Sequence, residues 1–279
     1  MILFSPAKVN IGLHITGRRP DGFHNLQSVM VPIGLCDILE IRQMKSHKGG
    51  LHFSQSGIPV DGDPGKNLVE KAYEIMSGVS DLPPVEIHLH KQIPVGAGLG
   101  GGSSNASVTL KGLNQLIPKA LSLEQLSQMA THLGSDCPFF LYQKPMFMEG
   151  RGEILGQVSI GLEGMTMVVL FPRIHLSTAM AYAGVEPLAP MTHLRELIAA
   201  PIEDWKKLII NDFEKGIFEK YPELEIFKQG LYKSGAIYAS LSGSGSSLFG
   251  IFPGMPNLPP HLSRFVIWKG EAGKLPAPI

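Results

Sequence analysis

The chain has no excess of either charge. Its 24 lysines and arginines balance 24 aspartates and glutamates, and only 17% of its 279 residues are charged. With no basic patch or run, neither nucleic acid nor an anionic membrane is the expected partner. Cysteine is scarce too: Cys36 and Cys137 are too few for a disulfide framework or a four-thiolate zinc site. Long apolar runs are missing. The longest covers 165–171, with Thr166 inside it, far short of the ~18–20 residues that cross a bilayer. The opening MILFSPAKVN shows no charged leader or small-residue cleavage site. A reduced, cytoplasmic protein acting on a small molecule is expected, working as a monomer or weak homodimer.

What is present is an apolar fraction of 44% and 32 glycines. That is about 11% glycine, where about 7% is usual. The length suits two lobes, with a soft boundary that divides the chain into 1–155 and 156–279. Val9, Ile11, Leu13 and Ile15 alternate with polar or small residues. Period two predicts a half-buried strand carrying Lys8, Asn10 and His14 on one face. Strands are also expected over 28–42, 85–90, 165–171, 237–241, 248–252 and 265–268. Helices are expected from Asn67 to Gly78, over 103–116, from Ser122 to Gly134, and over 192–200 and 212–233. Strands and helices without regular alternation indicate an α+β fold.

Glycine is concentrated in Ile93-Pro94-Val95-Gly96-Ala97-Gly98-Leu99-Gly100-Gly101-Gly102-Ser103-Ser104. A glycine loop between a strand and a helix turns backbone N–H groups toward a ligand, and the helix N-terminus favours an anion. The P-loop string G-x-x-x-x-G-K-[ST] does not occur. Gly96-x-Gly98-x-x-Gly101 formally matches a dinucleotide fingerprint, with Glu124 some distance on. Glu124, however, opens a helix where that fingerprint needs a strand end.

The stretch from Pro94 to Ala106 resembles the ATP-binding motif of the GHMP kinase family, which includes galactose, homoserine, mevalonate and phosphomevalonate kinases. Two further family motifs follow the expected order, Pro6-Ala7-Lys8-Val9-Asn10-Ile11 and Leu241-Ser242-Gly243-Ser244-Gly245-Ser246-Ser247. Arg18-Arg19-Pro20-Asp21-Gly22-Phe23-His24 and Gly134-Ser135-Asp136-Cys137-Pro138 resemble the branch whose acceptor is a cytidine diphosphate-linked polyol, phosphorylated on the way to isoprenoid precursors. The resemblance implies a two-lobed fold, an N-terminal ATP-binding lobe and a smaller C-terminal α/β lobe, with ATP and Mg²⁺ as its complex.

It further implies direct phosphoryl transfer with Asp136 as base and Lys8 as charge stabiliser. Read without it, Asp136 reads first as a cap for the helix that Pro138 begins, and Lys8 as a solvated lysine at a strand start. ATP is expected at Pro94, Gly96, Gly98, Gly100, Gly101, Gly102, Ser103 and Ser104, with Lys91 and Asn67 toward the nucleoside. The acceptor is expected at Asn10, Phe23, His24, Thr178, Tyr182, Gly243 and Ser244. Phe23 stands where the branch usually has tyrosine, so ring stacking is kept and a hydroxyl is lost. No carboxylate pair clearly serves Mg²⁺. The alternatives are a GHMP-type kinase for mevalonate, homoserine or a sugar, an NAD(P)-dependent oxidoreductase, and a non-catalytic nucleotide-binding regulator.

Overall fold

The computed structural model describes residues 1–45, 50–60, 67–188 and 190–276. Two long strands, β1 (Ile2–Arg18) and β2 (His24–Gln43), form an antiparallel pair. With β3 (Leu51–Gly57), β4 (Val85–Lys91), β5 (Met146–Glu149) and β6 (Ile154–Gln157) they make a six-stranded sheet. Its path runs β3-β4-β2-β5-β6, with β1 pairing on β2. A four-stranded antiparallel sheet follows in the order β10-β7-β9-β8. Its strands are β7 (Thr166–Leu170), β8 (Tyr238–Leu241), β9 (Leu248–Phe252) and β10 (Val266–Glu271).

Helices α1 (Leu68–Ser77), α2 (Gly101–Asn114), α3 (Leu123–Leu133) and α4 (Cys137–Tyr142) belong with the first sheet. Val69, Ala72, Val108, Leu110 and Leu126 pack there on Leu39, Ile87 and Leu89. A second buried cluster joins Val9, Ile11 and Val31 of the first sheet to Val169, Phe249 and Ile251 of the second. The two sheets therefore share apolar contacts, and no flexible linker is needed between them. The other helices are α5 (Thr178–Ala183), α6 (Leu194–Leu197), α7 (Ile202–Leu208), α8 (Phe213–Lys220), α9 (Pro222–Lys233) and α10 (Pro260–Ser263). Among the described residues, no helix is long and apolar enough to cross a membrane.

Four expectations change in physically clear ways. Lys8 and Asn10 lie on the predicted strand but are 4% and 2% exposed, because the glycine loop and the turn at Gly243 cover their polar face. His14 does not share that face. The β1–β2 register shifts between Ile11 and Leu13, with Gly12 at φ 67, so one residue is taken up in a bulge. Leu13 thus joins Lys8 and Asn10 in lining a cavity, while His14 is buried in the range of Asp212 and His193. The helix expected over 212–233 is broken at Tyr221–Pro222, since proline cannot donate to the preceding turn. That expected over 192–200 contracts to α6, capped by His193.

Candidate active site

The glycine loop leaves β4 and enters α2 through Gly100, which sits at φ 71 in the left-handed region. No side chain caps α2, and its first residues, Gly101 to Ser103, line the cavity that opens there. This donor-side cavity, about 350 Å³, is lined by Asn67, Leu68, Pro94, Gly96, Gly102 and Ser103 among others. Exposed donors at a helix N-terminus, on backbone with no Cβ in the way, form an anion cradle. Asn67 also caps α1, accepting from the Val69 N–H at 3.0 Å. Two glycines are demanded by packing as well. A Cβ at Gly98 would collide with the Ser242 carbonyl oxygen, and one at Gly100 would lie 2.8 Å from the Phe140 ring.

Below the loop is a buried polar network that sequence spacing did not reveal. The Lys91 ammonium donates to Asp37 Oδ2 at 2.5 Å and to Asn105 Oδ1 at 3.2 Å. Asp37 also accepts from the backbone N–H groups of Gln92 and Ile93 at 2.7 and 2.8 Å, and from Asn105 Nδ2 at 2.9 Å. Asn105 donates on to Ser5, whose hydroxyl donates to Ser104. Lys91 and Ser104 therefore spend their side chains bracing the loop from beneath. Two of the three ammonium protons of Lys91 are thereby assigned, and Lys91 also lines the donor-side cavity. Lys91→Met strands a fully buried carboxylate and is expected to cost about 3–5 kcal/mol of stability. Urea unfolding with an unchanged m-value checks this, and parental stability in the variant would show the ion pair to be dispensable.

On the other side of the loop, Lys8 Nζ lies 3.6 Å from Asp136 Oδ2. Asp136 stands at the N-cap position of α4 but makes no side-chain cap hydrogen bond. Its carboxylate, one-third exposed, faces the cavity instead. Lys8 donates to Asn10 Oδ1 at 2.5 Å and to the Gly98 carbonyl at 3.0 Å. Because an ammonium can only donate, the Asn10 amide must turn its oxygen to Lys8 and its nitrogen to Ser28, 2.9 Å away. Ser28 then donates to the Gly12 carbonyl at 2.6 Å, so the bulge anchors the chain of contacts. Burial pushes the Lys8 ammonium below the ordinary lysine value, and Asp136 pulls it part of the way back.

This second cavity, about 600 Å³, brings together Lys8, Asn10, Asp136, His24, Tyr182 and Gly243. Phe23, Thr178 and Ser244 line it as well, and the Thr178 and Ser244 hydroxyls lie 3.4 Å apart. His24 and Tyr182 stack with centroids 4.8 Å apart, and Phe213 meets Tyr182 edge-on at 4.9 Å. Every residue expected at the acceptor side lines this one cavity. Gly96, Gly98 and Gly100 line both cavities. A larger hollow of about 770 Å³ beside α8 and α9 contains none of these residues. Its buried Glu214 is already satisfied by Lys228, Ser240 and the Leu241 N–H.

Residues that the sequence reading missed are Ser135, Phe213 and Arg151, all in the acceptor cavity. The one local signal was Gly150-Arg151-Gly152, an arginine bracketed by glycines.

The family model for the GHMP kinases N terminal domain matches residues 67–144, and that for GHMP kinases C terminal matches residues 194–257. A 4-diphosphocytidyl-2-C-methyl-D-erythritol kinase of Bacteroides fragilis is 47% identical over 252 residues, 90% of this chain and 92% of its own. The chain belongs to the GHMP kinase family. A kinase of the same name from Parabacteroides distasonis is 41% identical over 277 residues, covering 97% of this chain and 99% of its own. The crystal structure of a 4-(cytidine 5'-diphospho)-2C-methyl-D-erythritol kinase superposes with a TM-score of 0.78 at 33% identity, covering 91% of both chains. This GHMP kinase is accordingly an α+β, ATP-dependent small-molecule kinase. The dinucleotide reading falls: Glu124 lies in the first turn of α3, and among the described residues no strand parallel to β4 follows the glycine loop.

Proposed function

We propose that this GHMP kinase transfers the γ-phosphoryl group of ATP to the 2-hydroxyl of 4-diphosphocytidyl-2-C-methyl-D-erythritol, in the non-mevalonate route to isoprenoid precursors. The observation that carries the mechanism is the 3.6 Å Lys8–Asp136 pair beside Gly98 and Gly100, where the two cavities meet. Phosphoryl transfer asks mainly for alignment and charge stabilisation. The open N-terminus of α2 holds the donor phosphates. Asp136 accepts the proton of the attacking hydroxyl, and Lys8 offsets the charge growing on the transferring oxygens. No covalent enzyme intermediate is required. The His24–Tyr182 stack offers a platform for a pyrimidine, and Asn10, Thr178 and Ser244 offer hydrogen bonds to the acceptor's hydroxyls.

Mg²⁺ supplies charge neutralisation along the triphosphate when it is bound. Among the described residues no group of three metal-ligating side chains exists. The hydroxyl of Ser103 and the carboxylate of Asp136 are hard oxygen donors, which suits a cation carried mostly by phosphates and water.

Coupled ADP release against 4-diphosphocytidyl-2-C-methyl-D-erythritol, mevalonate, homoserine and galactose tests the reading. Turnover on the first alone is expected. Turnover on another acceptor only would keep the ATP site and discard the assignments at Phe23, His24 and Tyr182. For the cradle, Gly102→Val is the informative variant: the residue is exposed, and an added Cβ meets only Leu68 at 3.6 Å. The KM for ATP should rise about tenfold through lost backbone approach; an unchanged KM would make the loop purely structural. Gly101→Val cannot serve, since its Cβ would press to 2.9 Å from Ile93 and 3.1 Å from Lys91 Nζ and disturb the fold.

A further inference from the structure

The turn between β5 and β6 is fixed at both ends. The Gly150 carbonyl accepts from the Leu26 N–H at 2.8 Å, and the Arg151 N–H donates to Glu153 at 2.6 Å. The turn holds Arg151 at the rim of the acceptor cavity, half-buried, with its guanidinium 4.6 Å from the centre of the Phe23 ring. Among the described residues, Arg151 has no carboxylate within 4.0 Å and no side-chain hydrogen bond to protein. Asp21, whose carboxylate feels the Arg151 charge, already accepts from Arg19 at 3.2 Å and from the Phe23 N–H at 3.1 Å, and Glu153 is engaged by the Arg151 backbone N–H. Arg19, the other arginine of this corner, is spent on Asp21 and on Asn25 at 3.1 Å.

An arginine that is half-buried, seated over an aromatic ring and without a side-chain ion pair is arranged to receive an anion. Its planar fork matches two phosphate oxygens at once. Among the described residues, the other lysine or arginine lining the cavity is Lys8, which is committed to Asp136, Asn10 and Gly98. We propose that Arg151 binds the diphosphate of the acceptor and so selects nucleoside-diphosphate-linked alcohols over uncharged ones. The inference rests on the acceptor reading above and deepens it. It also gives Phe23 a task beyond the base, as the seat of the guanidinium; a phenyl ring serves there without a hydroxyl.

The test compares Arg151→Gln and Arg151→Lys with the parent enzyme. Losing a charge-assisted bidentate contact should raise the acceptor KM about 10- to 100-fold in Arg151→Gln. The KM for ATP should stay within about twofold. Arg151→Lys should recover part of the loss, since it keeps charge but not the fork. Competitive inhibition by cytidine 5'-diphosphate and by cytidine separates anion binding from simple packing. The parent should prefer the diphosphate, and Arg151→Gln should shrink that preference by about the same factor as the acceptor KM rises. Equal weakening of both inhibitors, or an unchanged acceptor KM, would overturn the proposal while leaving the kinase reading intact. A parent enzyme that neither turns over the cytidylyl acceptor nor binds cytidine 5'-diphosphate would instead sink the acceptor reading itself.

Discussion

Asp136→Asn should retain the fold and ATP binding yet lose about 10²- to 10⁴-fold in kcat, the range ascribed to a positioned general base. Asparagine keeps the shape of the side chain and can still accept from Lys8, but it cannot take a proton. The rival role for Asp136, capping α4, predicts something different: unchanged chemistry and a less stable helix. The structure already disfavours that role, because Asp136 makes no side-chain cap bond and Pro138 begins the helix with one fewer donor to satisfy. Measuring kcat, the KM for ATP and thermal unfolding together separates the two. A variant that melts early but turns over normally would return Asp136 to the capping role. A large kcat loss with melting within a few degrees of the parent would place it at the proton.

Local chemistry on the chain explains why some of this was readable and some was not. The glycine loop and the period-two pattern around Lys8 and Asn10 depend on neighbours within a few residues, so they show in sequence. The bulge at Gly12 is also local, but a glycine in an alternating strand announces itself only when its φ is known. It moved His14 off the face where strict alternation put it. The Asp37–Lys91–Asn105 network spans three elements and 68 residues between Asp37 and Asn105. No periodicity encodes that pairing, so on residues alone Lys91 reads as a surface lysine, whereas it is buried. Strands β5 and β6 are four residues each, too short for alternation to speak, and Arg151 lies between them. Their pairing is set by β2, more than a hundred residues earlier in the chain. The break at Tyr221–Pro222 is the opposite case, since the proline was visible and rules out a continuous helix.

Lys8→Met is expected to lower kcat about 10²- to 10³-fold, the usual loss when one preorganised donor to developing charge is removed. The more discriminating readout is pH. Burial lowers the Lys8 pKa and Asp136 raises it, with burial the larger influence. The alkaline limb of kcat/KM should therefore begin below the ordinary lysine range, as Lys8 loses its charge. In Asp136→Asn the raising influence disappears, so the limb of the residual activity should move to still lower pH. A limb that stays put or moves upward would disconnect Lys8 from the rate. Stability gives an independent check with a fixed sign. A lysine whose pKa is lower folded than unfolded binds fewer protons in the native state. The unfolded chain then holds more protons across that window, and stability rises with pH between the folded value and the ordinary lysine value. Lys8→Met should erase that slope. Asp136→Asn should widen the window toward lower pH, linking the two variants through a single ammonium and its one carboxylate partner.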